Sequence, residues 1–160
     1  VVECVISGMP AGVGEPVFEK LDARLGSALF SIGAVKAVEI GDGTAVSSSR
    51  GSENNDPFRM RDGRVVKSAN HAGGVLGGIS DGSDVVMRVH IKPTPSIFRP
   101  QDTVGADGQE RTVCIRGRHD PVIVPRAVVV VECMAALTAA DLLFSNMSAR
   151  MDKILSFYGK

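Results

Sequence analysis

The chain opens on Val1–Ile6, a β-branched run with no lead-in, which reads as a strand already under way at its first residue and hence as a truncation. Ser7–Glu15 is rich in turn residues. Pro16 then stands at a first helical position, ahead of Val17, Leu21, Leu25, Ala28, Leu29 and Ile32 at helical spacing, so a helix is predicted over 16–32. Ala34–Ile40 reads as a strand closed by Gly41-Asp42-Gly43, with Thr44–Ser49 as its hairpin partner.

Apolar periodicity lapses from Arg50 to Asn70, where Asn54-Asn55-Asp56-Pro57 and Asp62-Gly63 mark a long surface excursion rather than a separate domain. His71–Gly82 places five glycines in twelve residues. The pattern resumes as a strand at Val85–Ile91, with Arg88 and His90 at alternating polar positions. Lys92-Pro93-Thr94-Pro95-Ser96 ends it, Gly105–Gly108 marks a turn, and Arg111–Arg116 is a further short strand. Within 126–144 the run Val128–Val131 favours strand, but the Ala-rich continuation and the length favour a long helix. Residues 146–160 form an amphipathic tail, and no repeat of fixed period is present.

Composition narrows the function classes. The 160 residues carry 18 Lys+Arg against 18 Asp+Glu, so nothing draws the chain as a whole to nucleic acid or to a membrane surface. With 44% hydrophobic and 22% charged residues there is material for a core, and general disorder is excluded. Cys4, Cys114 and Cys133 match neither disulfide nor zinc spacing, which suits a reducing compartment. No signal peptide is visible, and the apolar tract from Val122 to Phe144 is broken by Pro125, Arg126, Glu132 and Asp141, so a soluble cytoplasmic protein is expected.

Three stretches offer chemistry. The glycine pairs at 73–74 and 77–78 let a flat ring or an anion lie against bare backbone, or let backbone pack closely on a helix; they fit neither the dinucleotide-binding fingerprint nor the P-loop. Lys92–Ser96 combines a cation and two hydroxyls with two prolines that fix the loop, either to converge donors on a phosphate or ring edge, or to hold a turn. Arg116-Gly117-Arg118-His119-Asp120-Pro121 is the densest polar cluster. Its arginines suit an anionic substrate, and Asp120 beside Arg and His suits proton transfer. The bland alternative is a salt-bridged turn before a helix. His71, His90 and His119 share no ligand spacing, so no metal site is expected, and His90 reads as structural or surface. These readings reach an α/β or α+β domain with a glycine-rich site.

Five blocks, taken in order, resemble the chorismate synthase family: Gly12-Val13-Gly14-Glu15-Pro16-Val17-Phe18, Val38-Glu39-Ile40-Gly41-Asp42-Gly43, Asn70–Ser80, Lys92–Ile97 and Gly117-Arg118-His119-Asp120-Pro121. The resemblance runs to about residue 145 and covers the C-terminal half of that family's polypeptide. It implies an α+β fold, a β-α-β sandwich with antiparallel sheets enclosing helices, here a partial domain over 1–145, and a homotetramer. It also implies a lyase that removes phosphate and a ring proton from 5-enolpyruvylshikimate 3-phosphate to form chorismate, with reduced FMN as cofactor in a reaction that is redox neutral overall.

The family's flavin contacts fall on Gly33, Ala34, Gly77, Lys92, Pro93, Thr94, Pro95, Ser96 and Arg118. Asp120 takes the proton-handling role at the flavin, and His119 with Arg118 orients cofactor and leaving phosphate. Two departures weaken single assignments: Gly33 stands where many relatives carry Asn, and Pro95 replaces a frequent Ser. The family's catalytic histidine pair, arginine-rich substrate loops and first flavin motif belong to its N-terminal half, and His71 and His119 are not that pair. The isolated chain is therefore expected to show no turnover. Two other readings remain: a non-catalytic, self-associating core that binds nothing tightly, and an unrelated module binding phosphate esters.

Overall fold

The computed structural model describes residues 1–159. In chain order it contains β1 (Val2–Ile6), α1 (Leu21–Phe30), β2 (Val35–Ile40), a 3-10 helix (Gly43–Ser48), β3 (Phe58–Arg61), β4 (Arg64–Lys67), β5 (Val75–Leu76), β6 (Ile79–Ser80), β7 (Val85–Ile91), β8 (Gln101–Val104), β9 (Glu110–Val113), α2 (Val124–Asn146) and α3 (Met151–Tyr158).

β7 organises the architecture. It lies between β1 and β2 in an antiparallel three-stranded sheet, with Val2 opposite Val89, Ile6 opposite Val85 and Ile40 opposite Met87. Val85, Met87 and Val89 are fully buried, and the pleat turns Arg88 and His90 to the other face. On the apolar face sits a helical layer. α1 buries Leu21, Leu25 and Leu29, one stripe at i, i+4 and i+8, and each such leucine contributes about 1.5–3 kcal/mol of burial. α2 buries Ala127, Val131, Ala135, Thr138, Ala139 and Leu142, packing on α1 and β1. A three-stranded sheet under one helical layer, with three further two-stranded antiparallel pairs, makes an α+β chain, as expected. α2 is long and apolar enough to cross a bilayer by length and composition. Only this small-residue stripe is buried, and Val128, Val129, Leu137 and Phe144 remain exposed.

The strands at the two ends of the sheet and the long helix stand close to their predicted ranges; other expectations change. The helix foreseen over 16–32 starts only at Leu21, because Val17 adopts φ +71°, a left-handed conformation that no helix contains, and Val17 and Phe18 are exposed. The Leu21 N–H then donates to the Gly78 carbonyl at 2.8 Å, fixing the helix start. Thr44–Ser49 is not a hairpin partner of β2. Most of it winds into the 3-10 helix, its first turn held by Glu39, whose Oε1 accepts from the Thr44 hydroxyl at 2.9 Å, and β7 takes the place beside β2. The excursion 50–70 is mostly exposed as foreseen, apart from the buried side chains of Asp56 and Lys67, but it contains the hairpin β3–β4, turned by Asp62 and Gly63 with positive φ at both. Finally, the strand expected at Arg111–Arg116 spans Glu110–Val113 and pairs with β8, which the polar sequence Gln101–Val104 does not announce.

Candidate functional site

The residues singled out from the sequence fall into two groups at opposite ends of α1. At its C-terminal end, the chain leaves the helix through Gly33 and Ala34 into β2, while β7 hands over to Lys92. The Lys92 N–H donates to the Ala34 carbonyl at 2.8 Å, so these two segments meet. Ala34 carries φ +70°, a strained state for a residue with a side chain. Gly33 needs no glycine: its φ is ordinary, and an added Cβ would meet nothing within 4 Å.

Beyond Lys92 the loop leads to Phe98, whose ring lies against His119 with centroids 5.9 Å apart. That contact draws the Lys92–Ser96 and Arg116–Pro121 segments together. Two polar atoms here, Thr94 Oγ1 and His119 Nε2, are buried and have no hydrogen-bond partner among the described residues. Leaving such an atom unmet costs about 1–3 kcal/mol. Lys92 and Arg118 stand exposed nearby in sequence. Unmet polar atoms, exposed cations and open backbone fit a planar, phosphate-bearing cofactor such as FMN. Asp120 has a different neighbour: its Oδ2 pairs with Arg126 at 2.8 Å in the first turn of α2, and both side chains are exposed. This is the salt-bridged turn weighed above.

Gly77 lies elsewhere. It is in the tight turn joining β5 to β6, and its neighbour Gly78 binds Leu21 at the start of α1. The ten residues of α1 separate that end from Ala34 by about 15 Å along the helix axis. Gly73, Gly74 and Gly78 all lack room for a side chain, with backbone or Lys20 under 2.6 Å from an added Cβ, whereas Gly77 faces open space at φ +61°. Close packing thus accounts for three of the four glycines, and Gly77 alone of the four faces open space.

The strongest electrostatics join residues to which the sequence assigned no charged partner: Glu39 with Arg88 and His90, and Lys67 with Asp56 and Asp81. On the polar face of the sheet, Glu39 Oε2 lies 3.1 Å from His90 Nε2 and 3.2 Å from Arg88 Nε. The His90 contact first, then Thr44 and Arg88, hold the Glu39 carboxyl down to about 2. Beneath the glycine-rich segment, Lys67 Nζ bridges Asp56 at 3.0 Å and Asp81 at 2.7 Å, and all three side chains are at most 7% exposed. Burial alone would raise both carboxyls. Hydrogen bonds from the Ala72 and His71 N–H groups and Lys67 outweigh it at Asp56, and those from Lys67 and Ser83 outweigh it at Asp81, so both are lowered. The one available signal was Lys67 closing a run with Asp62-Gly63 at its turn, which marks a hairpin. Among the described residues no cluster of His, Cys, Asp and Glu suits a metal ion.

Comparison with known proteins gives one consistent result. A family model described as chorismate synthase matches residues 1–144. The chorismate synthase of Lachnoclostridium phytofermentans is 61% identical over 99% of this chain and 44% of its own length. That of Lachnospira eligens is 59% identical over 100% of this chain and 44% of its own, and that of the archaeon Archaeoglobus fulgidus 57% identical over 88% and 39%. A crystal structure of a chorismate synthase superposes with a TM-score of 0.73 at 30% identity, covering 91% of this chain and 37% of that one. The chain thus spans less than half the length of the relatives it matches.

Proposed function

This chain belongs to the chorismate synthase family, and from that premise we propose that it carries the flavin-facing part of a chorismate synthase site. The observation that carries this reading is the pair of unmet buried atoms, Thr94 Oγ1 and His119 Nε2, in two segments drawn together by Phe98 and His119. When bound, reduced FMN would lend electron density to the loss of phosphate and of a ring proton that forms the second ring double bond of chorismate, with no net redox change. Lys92, Thr94 and Ser96 donate to the cofactor's polar edge or phosphate, on a loop that Pro93 and Pro95 stiffen. Gly33 and Ala34 offer backbone there, and Gly77 offers it from the far end. Arg118 and His119 orient cofactor and leaving phosphate. Asp120 handles a proton once it exchanges its exposed Arg126 partner for the site.

In this reading the substrate is 5-enolpyruvylshikimate 3-phosphate, the assembly a homotetramer and the setting the cytoplasm. The 160-residue chain by itself forms no chorismate, since the substrate loops lie in the rest of the family polypeptide. Titration with reduced FMN together with a coupled assay tests both parts. Saturable binding without turnover is expected, and chorismate formation by the purified chain would overturn the second part.

One observation favours the other reading, a self-associating core that binds nothing tightly. The outer face of α2 exposes Val129 at 56%, Leu137 at 66% and Phe144 at 72%, apolar surface that drives association in water. Self-association without flavin binding is the result that selects it.

A further inference from the structure

We propose that Lys67 is a positioning residue: a buried clip that closes the base of the glycine-rich segment 71–82 so that its tip, Gly77, is held out at a fixed place. The proposal rests on the flavin reading above for what the tip meets, and on the following geometry for the clip itself.

The Asp56 carboxylate accepts from the N–H groups of His71 at 2.8 Å and Ala72 at 3.0 Å, which are the entrance to the segment. Asp81 stands at the exit, where its Oδ1 accepts from Ser83 N–H at 2.9 Å and its own N–H donates to the Gly74 carbonyl at 3.0 Å. Lys67 Nζ joins the two carboxylates, so a single ammonium ties together entrance, exit and the β3–β4 hairpin. A second tie runs beside it, since Asp42 Oδ2 lies 2.7 Å from His71 Nδ1 and 3.3 Å from Asn54 Nδ2.

Stability alone is a poor account of such a triad. Desolvating three charged groups offsets most of their attraction, and well-packed apolar residues in their place are often as stable or more so. What the ions add is direction, because two carboxylates and a cation satisfy one another in few arrangements. The contrast along the segment agrees with this. Its base is crowded and hydrogen-bonded at entrance and exit, while an added Cβ on Gly77 at the tip would meet nothing within 4 Å.

The test compares the wild-type chain with Lys67→Met and Lys67→Arg, reading amide hydrogen exchange residue by residue and the affinity for reduced FMN. Lys67→Met is expected to speed exchange over 71–82 by about tenfold or more while α1 and β7 keep their protection. FMN affinity should fall with it, and Lys67→Arg should restore both. Exchange over 71–82 within about twofold of wild type would overturn the clip, as would an equal rise throughout α1 and β7, which is general destabilisation. Unchanged FMN affinity despite a loosened segment would overturn the positioning role. If wild type binds no FMN, the flavin reading fails and the exchange data still judge the clip. Should Lys67→Met not fold, Asp81→Asn keeps the Lys67–Asp56 pair and is expected to loosen 74–83 alone, with no local change counting against the proposal.

Discussion

The two regions that carry most of the family-matching motifs are built in opposite ways. The glycine-rich segment 71–82 is over-determined: its backbone is bonded at both ends, Gly73, Gly74 and Gly78 are crowded, and a buried ion triad closes its base. The stretch 92–120 is under-determined, with β8 and β9 almost wholly exposed and two buried polar atoms lacking partners. One region is complete within this chain. The other holds two buried polar atoms, Thr94 Oγ1 and His119 Nε2, that no group among the described residues satisfies.

Several substitutions break or sharpen that contrast. The largest effect is expected for Gly41→Ala, at φ +59° with the His71 carbonyl oxygen 2.1 Å from an added Cβ: a loss of about 3–5 kcal/mol in urea unfolding. Acid ranks second. Asp56, Asp81 and Glu39 all have lowered carboxyls, so their stabilisation is complete above the unfolded values near 4 and is lost as pH falls through the folded ones, about 2 for Glu39. Melting temperature should therefore hold from pH 7 to 5 and drop steeply below 4, and Glu39→Gln should flatten the lower part of that fall. Gly77→Ala, left-handed but with open space, should cost about 1–2 kcal/mol, well under Gly41→Ala. Thr94→Val inverts the sign: removing an unmet hydroxyl should raise stability by up to about 1 kcal/mol while weakening FMN binding. Gly33→Asn should change stability by less than about 0.5 kcal/mol, because neither space nor φ calls for glycine there.

The sequence is legible where hydrophobic period and burial coincide. Val85, Met87 and Val89 alternate and are buried alternately, and Ala127 to Leu142 recur at helical spacing and face the core. It is illegible where tertiary contacts override local preference. Val17 sits in register with Leu21 and Leu25 yet turns outward, because the Gly78 carbonyl sets the helix start four residues later. Thr44 joins Glu39 instead of a strand. The same limit applies to the site. Five ordered motifs identify the family, and a contact pairs Phe98 with His119. No local pattern, however, reveals that Asp120 rests on Arg126, that Gly77 lies a helix length from Ala34, or that Lys67 is buried among carboxylates. Those facts depend on segments far apart in the chain.

The most direct measurement is a titration of the purified chain with reduced FMN under anaerobic conditions, with Thr94→Val alongside. The account predicts saturable binding of one FMN per chain with Kd below about 1 mM, weakened in Thr94→Val without loss of stability. Binding that never saturates, or that is the same in Thr94→Val, would contradict it.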